Sequence, residues 1–512
     1  MDDVGQSYDL VVVGGGINGV GIARDAAGQG LSVLLCEKDD LASHTSSWSS
    51  KLLHGGLRYL EYYEFRLVRE ALIEREVLLR AAPHLVKPMR FVLPHSPEQR
   101  PRWLIRIGLA LYDNLGGRKI LPPSAAVDLR RGPMGGPLKR AYPQGFVYSD
   151  AWVDDSRLVV LNALAAAEHG ADIRTRTACT GAARDPDGWR VTLTDQRTGS
   201  SSVVGARAVV NAAGPWVSRF IDQGLGIATT HGVRLVKGSH VVIPALYDGD
   251  HAYIMQNDDK RIIFAIPYQD GQLTIIGTTD LAYEGDPGEA RIDDDEVAYL
   301  LAVVNRYFVR QTTPDDIVWS YSGVRPLYDD ASGNPSAVTR DYVFDLDSGE
   351  GRPPLLSVFG GKLTTYRKLA EHALAKLAPA LGTEAKTWTA GAALPGGDVD
   401  DADFDAFLAA QRNRYRWLPL PMARRLAHAY GTRIDCVLGD ARGLDDLGEL
   451  LGGNLYAREL DYLVREEWAV TADDVLWRRT KLGLSLDDAA QARVRAWLAK
   501  NEPAAGEAAA TP

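Results

Sequence analysis

Three glycines and one acid, at fixed spacing near the start of the chain, are the residues most clearly arranged for chemistry. Gly14-Gly15-Gly16-Ile17-Asn18-Gly19 reads G-x-G-x-x-G. It follows the apolar run Tyr8 to Val13 and precedes helix-like sequence to Gly28. A second apolar run, Leu31 to Leu35, is closed by Glu37. Strand, glycine turn, helix, strand and acid in this order predict a dinucleotide-binding unit. Gly14 permits the tight turn, Gly16 lets the backbone approach a pyrophosphate, and Gly19 lets helix and strand pack closely. The helix N-terminus turns unpaired N–H groups toward the phosphates, beside Asn18. Glu37 can accept hydrogen bonds from an adenosine ribose, and its charge disfavours a 2′-phosphate, so NADP is not expected. A turn that merely packs would leave the acid at the end of the second strand unexplained.

Two later segments point to FAD. Ala208 to Trp216 (AVVNAAGPW, with Gly214) is an apolar strand ending in small residues. It resembles the segment of two-dinucleotide-domain flavoproteins where the returning chain meets the cofactor. Leu355 to Gly361 is another apolar strand, ending in paired glycines, and helix-like sequence starts near Leu363. A helix N-terminus there would stabilise the negative charge that a reduced flavin carries near N1. The sequence holds no second G-x-G-x-x-G, so the electrons are expected to leave to a quinone or to oxygen rather than a nicotinamide. None of the three cysteines, Cys36, Cys179 and Cys436, falls in a flavin-facing motif, so the FAD is expected to be non-covalent.

Longer strings carry a more specific resemblance. TSSWSSKLLHGGLRYL from Thr45, SYSGVRPLYDD, TRDYVF, FGGKLTTYRKLAEHAL and, from Tyr456, YARELDYLVREEWAVTADDVLWRRTKLGL closely resemble the FAD-dependent, quinone-linked glycerol-3-phosphate dehydrogenases of respiration. The match runs from about Tyr8 to about Leu484. It implies oxidation of sn-glycerol 3-phosphate to dihydroxyacetone phosphate, hydride passing from C2 to FAD and electrons on to ubiquinone or menaquinone. Two departures stand out. Trp48 is bulky in a loop that otherwise carries small residues, so local packing is expected to differ. There is no calcium-binding extension, so calcium regulation is not expected.

The resemblance also assigns residues. Arg325 and Arg340 match family positions that hold the phosphate or lie at the substrate, and arginine suits a dianion because its planar fork donates two parallel hydrogen bonds. Arg58, Tyr59 and Lys362 match positions near the substrate. The structural alternatives are a pair with Asp341 for Arg340, surface salt bridges for Arg58 and Lys362, and packing for Tyr59. Loss of hydride from C2 needs a base for the C2 hydroxyl, and a histidine is suited to it. His54 (LLHGG) is preferred slightly over His240 (VKGSH), and Arg325 would stabilise alkoxide character. Thr45, Ser46, Ser47 and Ser50 offer hydroxyls to the phosphates and ring, with turn capping as a compatible role. Gly361 and Lys362 lie at the cofactor, and Thr364 is expected at the flavin pyrimidine edge.

These residues need a scaffold, and 512 residues suffice for about three domains. The expected fold class is α/β. It comprises a Rossmann-like FAD-binding domain of the two-dinucleotide-domain flavoprotein type, an antiparallel-sheet substrate domain and an all-helical C-terminal domain. The FAD domain is expected to be discontinuous (8–85, 145–232, 320–385), with the substrate cap from 86–144 and 233–319. Glu64 to Ala81 shows helical spacing, and runs such as VVIPAL, AYIMQ, RIIFAIPY and LTIIGTTD predict strands. The helical domain spans 396–500, with N-cap signatures at Thr471 and Ser485. The small, polar tail 501–512 is expected to be disordered.

Composition bounds the partners. An apolar fraction of 46% is that of a globular chain, and three scattered cysteines fit neither a disulfide framework nor a metal cluster. The net charge of −10 argues against nucleic acid. That charge is uneven: Lys87 to Arg140 holds eleven basic and three acidic side chains, a local +8. Within it PRWLIRIGLALYDNLGG is apolar over most of a helical circumference. It is too short to span a bilayer but suited to lie in its interface, with Trp103 and Tyr112 as anchors. The alternative is an ordinary buried helix. The N-terminus lacks signal-peptide features. The expected location is therefore the cytoplasmic face of the inner membrane, peripherally attached, with a homodimer left open. Competing readings are a peroxide-forming oxidase of the same substrate, an amine or amino-acid oxidase, and a flavoprotein scaffold without activity.

Overall fold

The structure, a computed structural model, describes residues 5–227, 232–329 and 341–501. Arg340 and the tail from 502 lie outside the described residues.

The strand Ser7–Val13 buries Leu10, Val11 and Val12 completely, as a strand covered on both faces must. It pairs in parallel with Val33–Cys36 on one side and Ser201–Asn211 on the other. The sheet order is Val343–Asp347, Leu355–Phe359, Ser201–Asn211, Ser7–Val13, Val33–Cys36 and Asp172–Arg174. Only the edge strand Val343–Asp347 runs antiparallel in this row. Helices Ile17–Gly28, Asp155–Glu168 and Tyr366–Leu381 share one core with this sheet. An antiparallel ribbon, Thr177–Asp185 and Gly188–Asp195, joins through Ser201–Asn211 and helps close the other face.

A second sheet of ten strands stands beside it. Its long strands Gly232–Pro244 and Trp319–Asp329 pair from Gly232 to Val242, and Leu273–Gly277, Ile262–Tyr268, Ala252–Gln256, Val86–His95 and Gln144–Val153 follow in order. All pairs are antiparallel except Ala252–Gln256 with Val86–His95. Side chains alternate between faces. Val241 and Ile243 pack toward helix Asp294–Tyr307, while Val242 joins the opposite core with Leu52, Leu72 and Tyr321. Gln144–Val153 and Trp319–Asp329 hydrogen-bond within this sheet. The expected returns to the FAD-type domain at 145 and 320 therefore move to the far ends of those strands.

The C-terminal unit has its own core, from Tyr415 to Leu498. It is helical as expected, with one small hairpin, Leu450–Gly452 with Leu455–Tyr456. Thr471 caps as expected, its Oγ1 accepting from Asp474 N at 3.3 Å, but the turns that follow, Asp474–Arg479, are π-wound. Near Ser485 the cap is Asp487 instead. Its carboxylate accepts from Ala490 N at 2.8 Å, because the helix starts at Asp488.

Among the described residues no helix is long and apolar enough to cross a membrane. Helix Arg102–Leu115 buries only Leu109 and Tyr112 and leaves Trp103, Leu104, Ile107 and Leu111 exposed. Tyr112 is thus not a membrane anchor. Its hydroxyl donates to Asp150 at 2.8 Å and accepts from Gly55 N at 2.8 Å, which holds it inside.

Candidate active site and cofactor cleft

The first glycine turn is closed to side chains. Gly14 has φ +114°, and a Cβ there would stand 2.5 Å from Ala212 O. A Cβ at Gly19 would stand 1.9 Å from Gly14 O. Helix Ile17–Gly28 starts at Gly16 without a capping side chain from its N-cap residue. Ser46 Oγ instead accepts from Ile17 N at 3.0 Å. A cavity of about 510 Å³ opens here, lined by Gly14, Gly16, Glu37, Thr45, Ser46 and Gly214 among others. Glu37 accepts from Gly15 N at 2.7 Å and Asp39 N at 2.9 Å. Burial raises its carboxyl pKa against the pull of those bonds.

The paired glycines pack against Asn18 at the start of that helix. Gly360 and Gly361 have φ +75° and +97°, and a Cβ at Gly361 would meet Asn18 Nδ2 at 2.7 Å. Asn18 Nδ2 donates to Gly360 O at 3.1 Å, while its Oδ1 is buried without a partner. Bare backbone on two facing turns, an unsatisfied acceptor between them and an acid at the far end are the donor and acceptor set of an FAD cradle. The residues fit the cofactor.

Of the four loop hydroxyls, Thr45 and Ser46 line the cavity. Thr45 Oγ1 donates to Val324 O at 2.7 Å, tying the loop to the residue before Arg325. Ser47 Oγ donates to His44 O at 3.3 Å and serves the turn. Ser50 Oγ lies 2.8 Å from His240 Nε2. Trp48 is accommodated away from the cavity. It packs on Trp319 and Tyr321, and its Nε1 donates to Ser43 O at 3.2 Å. Gly323 leaves it room, since a Cβ there would stand 3.0 Å from Trp48 Cβ.

The substrate candidates divide between two walls. On one, His54 N donates to Thr364 Oγ1 at 3.3 Å, and Lys362 Nζ lies 4.1 Å from the ring centroid of Tyr59. Thr364 is 3% exposed, so its hydroxyl faces the His54 backbone. Arg58 follows on the 3-10 turn Leu57–Tyr62, its Nη2 3.4 Å from Tyr62 OH. On the other wall, Tyr321, His240, Gly277 and Phe264 are successive cross-strand neighbours on one face. His240 covers Gly277, where a Cβ would stand 2.1 Å from its Cδ2. Arg325 Nη1 donates to Asp280 at 3.0 Å, and Nη2 to Thr278 Oγ1 at 3.3 Å. Phe264 bridges the walls, 6.4 Å from His54 between centroids.

The two histidines differ in access. His54 is half-buried. Burial, then the charges of Lys362 and Arg75, bring its pKa down to about 4. His240 is 2% exposed, and its Nδ1 is buried without a partner. Burial, then Arg325 and Lys51, hold it well below the ordinary histidine range. Both are neutral at pH 7.

Sequence reasoning missed His44, Trp216, Cys36 and Cys179 on the cavity wall. Trp216 closes the AVVNAAGPW string, a signal in plain view, and stacks edge-on with His44 at 4.6 Å. Cys179 sits on a ribbon strand that carries no motif. Burial raises the Cys36 thiol and pushes Cys179 up to about 12. Burial thus disfavours the thiolate form of both.

Comparison with known proteins covers nearly the whole chain. Residues 9–367 match the FAD dependent oxidoreductase family, and residues 387–500 match the C-terminal domain of alpha-glycerophosphate oxidase. Glycerol-3-phosphate dehydrogenase of Pseudomonas aeruginosa is 57% identical over 97% of this chain and 96% of its own. D-erythritol 1-phosphate dehydrogenase of Brucella abortus is 54% identical over 96% and 98%. Aerobic glycerol-3-phosphate dehydrogenase of Escherichia coli is 53% identical over 96% and 97%. The crystal structure of glycerol-3-phosphate dehydrogenase from Bacillus halodurans complexed with FAD superposes with a TM-score of 0.77 at 28% identity, covering 97% of this chain and 90% of that one.

Proposed function

The chain belongs to the FAD dependent oxidoreductases and, within them, to the glycerol-3-phosphate dehydrogenases, and from that premise we propose how its residues divide the reaction. It oxidises sn-glycerol 3-phosphate to dihydroxyacetone phosphate with FAD as cofactor. FAD, when bound, supplies the two-electron acceptor for the C2 hydride. Gly14, Gly16, Asn18, Gly19, Glu37, Thr45, Ser46, Gly214 and Gly361 hold it, and burial, which raises both wall thiols, supports a non-covalent complex. His54 takes the C2 hydroxyl proton: it is neutral, and unlike His240 it is open to the site. Arg325 stabilises the alkoxide character that develops as that proton leaves. Arg58 and Lys362 hold the phosphate; Arg340, a further candidate for it, lies outside the described residues. His240, sealed between Ser50 and Tyr321, props the wall.

The observation that carries this reading is the convergence of His54, Lys362 and Thr364 from two segments more than 300 positions apart, seen in His54 N to Thr364 Oγ1 at 3.3 Å. Anaerobic mixing with glycerol 3-phosphate, followed through the flavin absorbance, tests it. Rapid bleaching is expected, and reoxidation on adding a quinone. No bleaching with any polyol phosphate would refute it. Stoichiometric peroxide in air without quinone would assign an oxidase instead.

We infer a quinone acceptor at a membrane surface. The support is helix Arg102–Leu115, with Trp103 65% and Ile107 57% exposed. A bond of 3.1 Å from Arg100 to Glu61 sets its start beside the turn bearing Tyr62 and Tyr63. We propose peripheral attachment to the cytoplasmic face of the inner membrane, supported by this surface and by the lipid solubility of quinones.

A second reading concerns the substrate. Identity of 54% to the D-erythritol 1-phosphate dehydrogenase nearly equals that to the glycerol 3-phosphate enzymes. The same anaerobic experiment with D-erythritol 1-phosphate decides it, since faster bleaching by the tetritol phosphate would reverse the preference.

A further inference from the structure

The cofactor loop is held from behind by the C-terminal domain. Asp40 belongs to the turn that runs from Glu37 into the hydroxyl loop, and its carboxylate faces away from the cavity. Arg478 Nε donates to Asp40 Oδ2 at 2.6 Å. Arg479 makes a bidentate pair with the same carboxylate, Nη1 to Oδ2 and Nη2 to Oδ1, both 2.8 Å. Asp40 and Arg479 are each 1% exposed. The guanidinium of Arg479 is itself fixed by Glu467 O, at 2.6 Å from Nη2. Arg478 also bonds Asp474, which in turn binds Arg176 Nη2 at 2.7 Å.

Asp40 passes this restraint to the cavity through short local bonds. Its N–H donates to Ser43 Oγ at 3.1 Å, and Ser43 Oγ donates back to Asp40 O at 2.7 Å. Ser43 then leads directly into His44, Thr45 and Ser46, which line the cavity. On the other side, Arg176 N donates to Asp39 O at 2.8 Å and Thr177 N to Glu37 O at 2.7 Å. The ribose-facing Glu37 and the hydroxyl loop thus share one short turn, and its outer face is gripped by two arginines from a different domain. Bidentate guanidinium–carboxylate pairs fix orientation as well as distance. Removing one partner from such a buried set leaves an uncompensated charge that must seek water, and here it would do so by moving the turn.

We propose that Arg478 and Arg479 are positioning residues for FAD: by holding Asp40 they keep the Glu37–Ser46 turn in its cofactor-binding geometry, so that FAD affinity depends on the C-terminal domain. The proposal rests on FAD occupying the cavity described above; the FAD Kd is read in the absence of any polyol phosphate, so failure there is separate from failure of the substrate assignment.

The test is titration of FAD into full-length apoprotein, following quenching of flavin fluorescence, for Asp40→Asn, Arg478→Gln and the double variant. Each single variant is expected to raise the FAD Kd at least tenfold. The double variant should fall well short of the product of the two singles, because Asp40→Asn already weakens the contact that Arg478→Gln removes. At saturating FAD, kcat and KM for glycerol 3-phosphate should return to within twofold of the parent, which a general loss of packing would not allow. An unchanged Kd in both single variants overturns the proposal, as does a double effect equal to the product of the singles. So does a kcat that excess FAD fails to restore in folded protein. Arg478→Lys, which keeps the charge but loses the Nε–H donor, takes the same test if Arg478→Gln does not fold.

Discussion

His54 and Thr364 are joined through the His54 backbone, whose N–H donates to the threonine hydroxyl at 3.3 Å. The segment carrying the proposed base is thereby fixed to the turn that carries Lys362. Replacing the imidazole with an amide of similar size removes the proton acceptor but keeps the backbone bond. His54→Gln is therefore expected to slow flavin reduction at least tenfold with FAD still bound. Single-turnover stopped-flow checks this, and an unchanged rate would move the role to His240 or to water.

The same residue sets a pH profile. The neutral ring is the competent form, and burial with Lys362 and Arg75 nearby brings its pKa down to about 4. The ring thus stays neutral well below the usual histidine range near 6.5. The rate of flavin reduction should be flat from pH 8 to about pH 5.5 and fall only toward pH 4. An acidic limb centred near 6.5 would show that the surroundings of this ring do not hold it neutral.

Backbone closeness at the glycine turn predicts cofactor loss without unfolding of the rest. A Cβ at Gly19 would stand 1.9 Å from Gly14 O, a clash with backbone that no rotamer relieves. Gly19→Ala should lower the flavin content of purified protein at least tenfold, read from the ratio of visible to ultraviolet absorbance. Ser47→Ala, which removes a turn hydroxyl donating to His44 O at 3.3 Å, should leave it within twofold.

The glycine unit was legible in sequence because its constraints are local: a turn, a helix start and an acid within one βαβ segment. The strands of the second sheet were legible from their alternation and turns, but their partners were not. Gln144–Val153 pairs with Val86–His95, and Trp319–Asp329 with Gly232–Pro244, and nothing in either segment names its neighbour. Tyr112 was misread for a related reason. An amphipathic helix shows which face is apolar, whereas the acceptor that draws the hydroxyl inward, Asp150, lies 38 positions away. The grip of Arg478 and Arg479 on Asp40 spans more than 430 positions and left no pattern at all.

Two histidines at the boundary of the C-terminal domain make stability pH-dependent. His84 is fully buried with neither ring nitrogen partnered, and His428 Nδ1 donates to His84 O at 3.0 Å. Burial, then Arg157 and His428, lower His84 to about 3; burial, then Lys87, lowers His428 to about 3. Unfolded histidines titrate near 6.5, so below that pH the unfolded chain binds more protons. The contribution is complete above about pH 6.5 and is lost as pH falls toward 3, by up to about 1.4 kcal/mol per pH unit for each ring. His84→Leu should halve this pair's share of the acid slope. Melting temperatures at pH 7.5 and 5.0 check it, and an equal drop in parent and variant would sink the assignment.

Exposed apolar side chains carry the last prediction. Single ones are ordinary on any surface, but contiguous ones mark an interface. Trp103 and Ile107 stand out from helix Arg102–Leu115, and Tyr63, 79% exposed, stands on the adjoining turn. Arg102 and Arg106 lie on the same exposed helix. An apolar contact of this kind, flanked by cations, predicts flotation with anionic vesicles at low salt, with more than half of the protein bound. Arg102→Gln and Arg106→Gln should each weaken binding roughly fivefold, from about 1 kcal/mol per cation at such a surface, and lose that effect at high salt. Trp103→Ser should weaken binding at every salt concentration, because burial of the indole is not screened. Its melting temperature should stay within about 2 °C of the parent, since an exposed side chain contributes little to the fold. If more than half of the parent protein remains in solution, this face is not a membrane contact and the quinone must reach the flavin by another route.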